Sequence, residues 1–179
     1  MNLKRIVITG GPGTGKTAII NKLKSKGYTC FDEYSRILIR WGYENGIKKF
    51  FLEKPNLFTS KIIDGRKKQY NDSRKIEKSK GNLIFFDRGI HDGFAYQNFI
   101  DKSFIFPREF SKYHYQKIFI LPPWSQIFSN DNERLESFET SKMIDKSINF
   151  TYNYYGYKLH SVPKISDEKR MEYILNKSL

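Results

Sequence analysis

Hydrophobic positions along the chain follow two rhythms. Short, nearly continuous apolar runs fall at residues 4–9, 28–31, 82–86 and 116–121, and a fifth, more mixed strand is read at 157–163. Runs of this length, bounded by Gly, Pro or polar residues, predict strands of a parallel sheet buried on both faces. Between them apolar residues recur at helical spacing. One such stretch follows Thr17, another carries Ile37, Leu38 and Trp41, and a long one over 56–80 carries Leu57, Phe58, Ile62 and Ile63. A further helix is expected after Asp87, one with Phe138, Ile144, Ile148, Tyr152 and Tyr155 on a face, and a last one through Met171, Tyr173, Ile174 and Leu175. Gly27 and Gly156 read as helix stops, and Ser166-Asp167-Glu168 as the start of the final helix. From 42 to 55 the pattern weakens into a helix end and a loop. Strand and helix alternate throughout, predicting an α/β fold with a five-stranded parallel sheet sandwiched by helices. With no internal repeat and no low-complexity linker, one domain over 1–179 is expected.

Polar positions then place chemistry on this frame. Between the first strand and first helix lies Gly10-Gly11-Pro12-Gly13-Thr14-Gly15-Lys16-Thr17, which fits the phosphate-loop pattern G-x-x-x-x-G-K-[ST]. Glycines let the backbone curl so that successive N–H groups face one anion. Gly11, Gly13, Thr14, Gly15, Lys16, Thr17 and Ala18 are therefore the expected phosphate contacts. Lys16 would bring a positive charge to the β- and γ-phosphates, the Thr17 hydroxyl would hold Mg²⁺, and the helix dipole would add to the attraction.

Acids and arginines follow at the carboxyl ends of later strands, where open α/β sheets bind ligands. The second strand leads into Asp32, Glu33 and Arg36, and the third into Asp87 and Arg88. Asp87 is expected in the Mg²⁺ shell opposite Thr17. Arg88 offers a planar fork for a phosphate or a substrate hydroxyl. Asp92 and Tyr96 lie on the next helix, Asp92 being the better candidate for an acceptor contact, with Arg36 beside it. Arg66, on a helix whose charge otherwise reads as a solvated face, is a weaker one. The polar stretch around Asn132-Glu133-Arg134 has the character of a mobile flap over about 124–138, carrying Arg134 onto the transferring phosphoryl group.

Composition narrows the setting. Lys and Arg number 32 against 19 Asp and Glu, a balance that suits a polyanionic partner, whether nucleotide, nucleic acid or anionic lipid. Cys30 is the single cysteine, which excludes an internal disulfide and a cysteine-based zinc site and fits a reducing cytoplasm. No apolar run is long enough to span a bilayer and the N-terminus lacks a signal-peptide core, so a cytoplasmic protein is expected.

Taken together, these stretches resemble the AAA-like predicted ATPases grouped with the kinase domain of bacterial NadR and an animal photoreceptor-trafficking NTPase. The resemblance rests on residues 8–17, Glu33 with Arg36, residues 86–92, 119–124, 132–134 and 137–139. It implies a P-loop kinase-like fold, phosphates and Mg²⁺ on Lys16 and Thr17, metal or base at Asp87, and a lid at Arg134. No module for adenylyl transfer is evident, so NadR's second activity is not implied.

The expectation is an ATP- and Mg²⁺-dependent phosphotransferase acting on a small hydroxyl-bearing acceptor, a nucleoside or nucleotide. Catalysis would rest on Lys16, Glu33, Asp87, Arg88 and Arg134, with Glu33 favoured over Asp32 and Asp87 as base. The first alternative is a nucleotide-dependent switch that binds a protein or an anionic membrane. A nucleic-acid end kinase is a weaker one.

Overall fold

The structure, a computed structural model, describes residues 3–48, 50–128 and 137–179. Strand β1 (Lys4–Thr9) occupies the middle of a five-stranded sheet of order β2-β3-β1-β4-β5. Its partners are β2 (Thr29–Phe31), β3 (Leu83–Asp87), β4 (Lys117–Ile120) and β5 (Leu159–Ser161), and every pairing is parallel. Side chains alternate across such a sheet, so β1 feeds two cores. Val7 joins Ile84, Phe86, Ile118, Ile148 and Tyr152 on one face. Ile6 and Ile8 join Leu23, Phe85, Phe119 and Ile174 on the other. This is why β1, β3 and β4, the inner strands, read as apolar runs, whereas the edge strands β2 and β5 are only partly buried.

Helices α1 (Lys16–Ser25) and α7 (Asp167–Ser178) cover the second face. Helices α4 (Pro55–Arg74), α5 (His91–Ile100) and α6 (Phe138–Tyr154) contribute to the first. Helix α6 begins where Ser137 Oγ accepts from the Thr140 amide at 3.1 Å, a side-chain N-cap. Gly156, at φ +79°, turns the chain just past its end.

Three local expectations are revised. The weak region 42–55 holds the end of α2 (Tyr34–Glu44) and a short helix α3 (Phe50–Glu53). Helix α4 stops at Arg74 instead of running to 80, and a 3-10 turn at Lys80–Asn82 leads into β3. On α2 only Leu38 and Gly42 are buried, while Ile37 and Trp41 stay about half exposed.

The registers decide what meets at the carboxyl edge. Ile8 pairs with Asp87 and Phe31 with Phe86. The loop after β1, the turn after β3 and the start of α2 therefore emerge side by side. No helix among the described residues is long and apolar enough to cross a membrane.

Candidate active site

The glycine-rich loop connects β1 to α1 through positive-φ backbone conformations at Gly10, Gly13 and Gly15. Gly15, at φ +90°, sits in the left-handed region just before α1. Gly10 is at φ +137°, and a Cβ there would lie 2.4 Å from the Leu121 carbonyl oxygen. Lys16 Nζ folds back over this loop. It donates to the carbonyls of Gly10 (3.0 Å) and Gly11 (2.8 Å) and to Thr14 Oγ1 (3.3 Å). Burial, then the charge of Arg88, pushes its pKa down to about 8. Phosphate oxygens arriving in the loop would take over the role of those carbonyls.

The loop is braced from two sides. Ser141 Oγ on α6 donates to the Pro12 carbonyl at 2.7 Å. Arg170 Nη1 on α7 donates to the Thr14 carbonyl at 3.0 Å, and its Nε to Pro163 O at 3.3 Å. The guanidinium of Arg170 stacks 4.9 Å from the Trp124 ring centre. Neither Ser141 nor Arg170 is marked by sequence pattern. Each looks like an ordinary polar helical position and acquires its role only when a distant helix packs on the loop.

Asp87 ends β3 beside the loop with 4 % exposure, and its Oδ1 is buried without a hydrogen-bond partner. Burial, and then the nearby Glu33 charge, push its pKa up to about 7. Thr17, partly exposed, lines a groove of about 420 Å³ together with Asp87, Asp32 and Glu33. An orphaned buried carboxylate oxygen near a threonine hydroxyl fits a hard divalent cation that completes its shell with phosphates and water. Among the described residues no group of three or more His, Cys, Asp or Glu side chains forms a self-sufficient metal cage.

Arg88 follows Asp87 at φ +71°, a left-handed conformation uncommon outside glycine. Its amide donates to Ile8 O at 3.0 Å, continuing the β1–β3 ladder. The side chain turns back toward α2 and α5. Nε donates to Glu33 Oε1 at 2.7 Å, and Nη1 to Asp92 Oδ1 at 3.2 Å. Burial alone would raise the Glu33 pKa. The charges of Arg88, Lys16 and Arg66 outweigh it and hold the carboxyl down at about 2. Arg36 Nε stands 3.9 Å from the other Glu33 oxygen.

Asp92 corrects an expectation. It is fully buried, its Oδ2 accepts from the Gly89 amide (2.9 Å) and the Tyr152 hydroxyl (2.6 Å), and its Oδ1 from Thr9 and Arg88. With both oxygens occupied it cannot touch an acceptor; it holds Arg88. Burial opposes its ionisation, but Arg88, Arg66 and these hydrogen bonds keep its pKa below the usual value.

A cavity of about 430 Å³ opens beyond the loop, within the range of roughly 300–1,000 Å³ common for small-ligand sites. Gly13, Thr14, Gly15, Lys16, Thr17 and Ala18 line one end. Glu33, Arg36, Arg66 and Arg88 line it further on, with apolar walls from Ile39, Phe58, Ile62 and Ile100. Gly11 is the one expected phosphate contact missing from that lining, because it is pressed against Ser141. Arg134 lies outside the described residues, as does most of the expected flap. Of the described parts, 124–128 and 137–138, the first sets Ile127 and Phe128 against Gly15 and Gly13.

Residues 5–170 match the family AAA_28, described as an AAA domain. The chain belongs to this family. Among solved structures it resembles deoxyadenosine kinase from M. mycoides with bound dATP. Identity is 18 %, TM-score 0.64, and the match covers 97 % of this chain and 98 % of that one. The same kinase with dCMP and dCDP gives 20 % identity and TM-score 0.63, covering 97 % of both chains. The NadR protein in complex with NAD and AMP-PNP gives 14 % identity and TM-score 0.65, covering 98 % of this chain but 49 % of NadR. No curated protein sequence matches. The fold of this AAA domain is thus the α/β P-loop fold shared with kinases, as the motif order led one to expect.

Proposed function

We propose that this AAA domain is an ATP- and Mg²⁺-dependent phosphotransferase acting on a small acceptor, a nucleoside or nucleotide. The observation that carries the reading is the cavity in which the phosphate loop and the Glu33–Arg88 pair face one space. A nucleotide switch needs the loop alone, whereas phosphoryl transfer needs an enclosed seat for a second molecule next to it. The kinase fold of the structural neighbours supports the same reading.

Phosphoryl transfer asks the protein mainly for positioning and neutralisation of charge. In this reading the loop amides, Lys16 and the start of α1 at Thr17 and Ala18 hold the triphosphate. Thr17 and Asp87 would hold Mg²⁺, which supplies charge neutralisation between the β- and γ-phosphates. Glu33 is the base candidate placed in the cavity wall; Asp32 instead pairs with Lys24 at 2.5 Å on the surface. Arg88, locked by Glu33 and Asp92, orients the acceptor, with Arg36 on the rim. Arg134 would close over the developing charge.

The test is transfer of label from [γ-³²P]ATP to a panel of nucleosides and nucleotides in the presence of Mg²⁺. Label on an acceptor supports the kinase; release of free phosphate alone, unchanged by any acceptor, supports the switch. Lys16→Ala is expected to lower kcat/KM by about a hundredfold or more, because it removes the charge on the transferring group.

A further inference from the structure

Arg66 stands on the inward face of α4, among the buried residues Ile62, Gly65 and Tyr70. It is 3 % exposed and lines the cavity, yet its Nε and Nη1 are buried without any hydrogen-bond partner. A guanidinium cannot shed its proton to escape such a setting, and an unpaired buried charge is costly. The other cations of the cavity have their partners. Arg88 has Glu33 and Asp92, and Lys16 has loop carbonyls that a triphosphate would replace. No carboxylate among the described residues lies within ion-pair distance of Arg66. It is a positive group in the cavity wall with unused donors.

The pairing of Glu33 bears on the nucleophile. An acceptor hydroxyl needs a carboxylate free to take its proton. Glu33 is bound to Arg88 Nε at 2.7 Å, with Arg36 close to its other oxygen. A phosphate oxygen is already ionised at neutral pH, so with such an acceptor the base role given to Glu33 above falls away and Glu33 serves to hold Arg88. Arg66 feels Glu33, Asp87 and Asp92 only at a distance and has no hydrogen-bonded counter-ion, and Glu33 already carries an arginine on Oε1; both favour an acceptor that brings its own negative charge.

We infer that the acceptor is a nucleoside monophosphate, whose phosphate binds Arg66 and whose phosphate oxygen attacks the γ-phosphorus of ATP. The inference rests on the kinase reading above and narrows its substrate. A bond forms between the acceptor oxygen and the γ-phosphorus, and the bond from that phosphorus to the β,γ-bridging oxygen breaks. The electron pair leaves with ADP, the other product is a nucleoside diphosphate, and no proton changes hands. The apolar walls at Ile39, Phe58, Ile62 and Ile100 suit the base.

The experiment uses the full chain with Mg²⁺, ATP and matched pairs of AMP, CMP, GMP, UMP and their nucleosides, read by chromatography of the products. At least one monophosphate is expected to exceed its nucleoside in kcat/KM by about tenfold or more. Arg66→Met should raise KM for that monophosphate by about a hundredfold, the scale of a lost charge-assisted contact, while KM for ATP stays within twofold. Arg66→Lys, which keeps a charge, should recover part of the loss. Should Arg66→Met fail to fold, thermal shifts of the unmodified protein decide: monophosphates should raise Tm and nucleosides should not. A better reaction with nucleosides, or a monophosphate KM unmoved in Arg66→Met, overturns this inference and leaves the kinase reading standing. ATP binding without transfer to any acceptor overturns the kinase reading, and this inference with it.

Discussion

Two buried arginines line one cavity, and beyond their burial they have little in common. Arg88 and Arg66 are each 3 % exposed. Arg88 comes from the turn after β3, and its guanidinium is anchored to two carboxylates that are themselves tied to α2, α5, β1 and α6. Arg66 comes from α4 and leaves two nitrogens without partners. A buried charge alone is thus no mark of a ligand site. What differs is whether the scaffold already uses the hydrogen bonds of the guanidinium.

The contrast can be broken most forcefully at Arg88. Arg88→Met strands Glu33 and Asp92 as unpaired buried carboxylates, a loss of about 3–5 kcal/mol. In a domain of this size that lowers Tm by roughly 6–20 °C, readable by calorimetry. Asp87 sharpens the comparison from the acidic side, since its pKa of about 7 lies far above the ordinary carboxylate value of 3.8. Between those values the folded protein keeps a proton that the unfolded chain has lost. Stability therefore falls as pH rises from about 4 to 7 and levels off above. Asp87→Asn should abolish that slope and stabilise the chain at pH 8 by about 4 kcal/mol at most in urea unfolding, with loss of Mg²⁺-dependent activity. Tyr152→Phe removes one donor from Asp92 and should cost about 1–2 kcal/mol. The smallest stability effect belongs to Arg66→Met. Arg66 makes no ion pair or hydrogen bond and attracts Glu33, Asp87 and Asp92 only from a distance, so its loss should cost no more than about 1 kcal/mol. A loss as large as that at Arg88 would erase the distinction.

Much of the donor side was legible in one dimension. Residues 10–17 form a contiguous loop whose glycine conformations and following helix are local properties. The end of β3 was also readable, because an apolar run stopped by Asp87-Arg88 must leave both at a sheet edge. The acceptor side was less legible. Helix α4 looked like a charged, solvated face around Arg66, because periodicity shows which residues share a stripe but not what packs on it. Asp92, in the first turn of α5, sat where a substrate contact would be expected. Only the packing of α6 behind it, bringing the Tyr152 hydroxyl within 2.6 Å, turned it into an anchor for Arg88.

The amino-acid order by itself determined the strand–loop–helix cradle, the parallel sheet and the acids and arginine at its carboxyl edge, because these follow from short-range sterics and hydrophobic alternation. Tertiary structure alone decided which buried charges neutralise each other. Arg170 reaches the Thr14 carbonyl across 156 positions and Thr9 meets Asp92 across 83. Electrostatic pairing acts over ångströms in space, and separation along the chain carries no record of it.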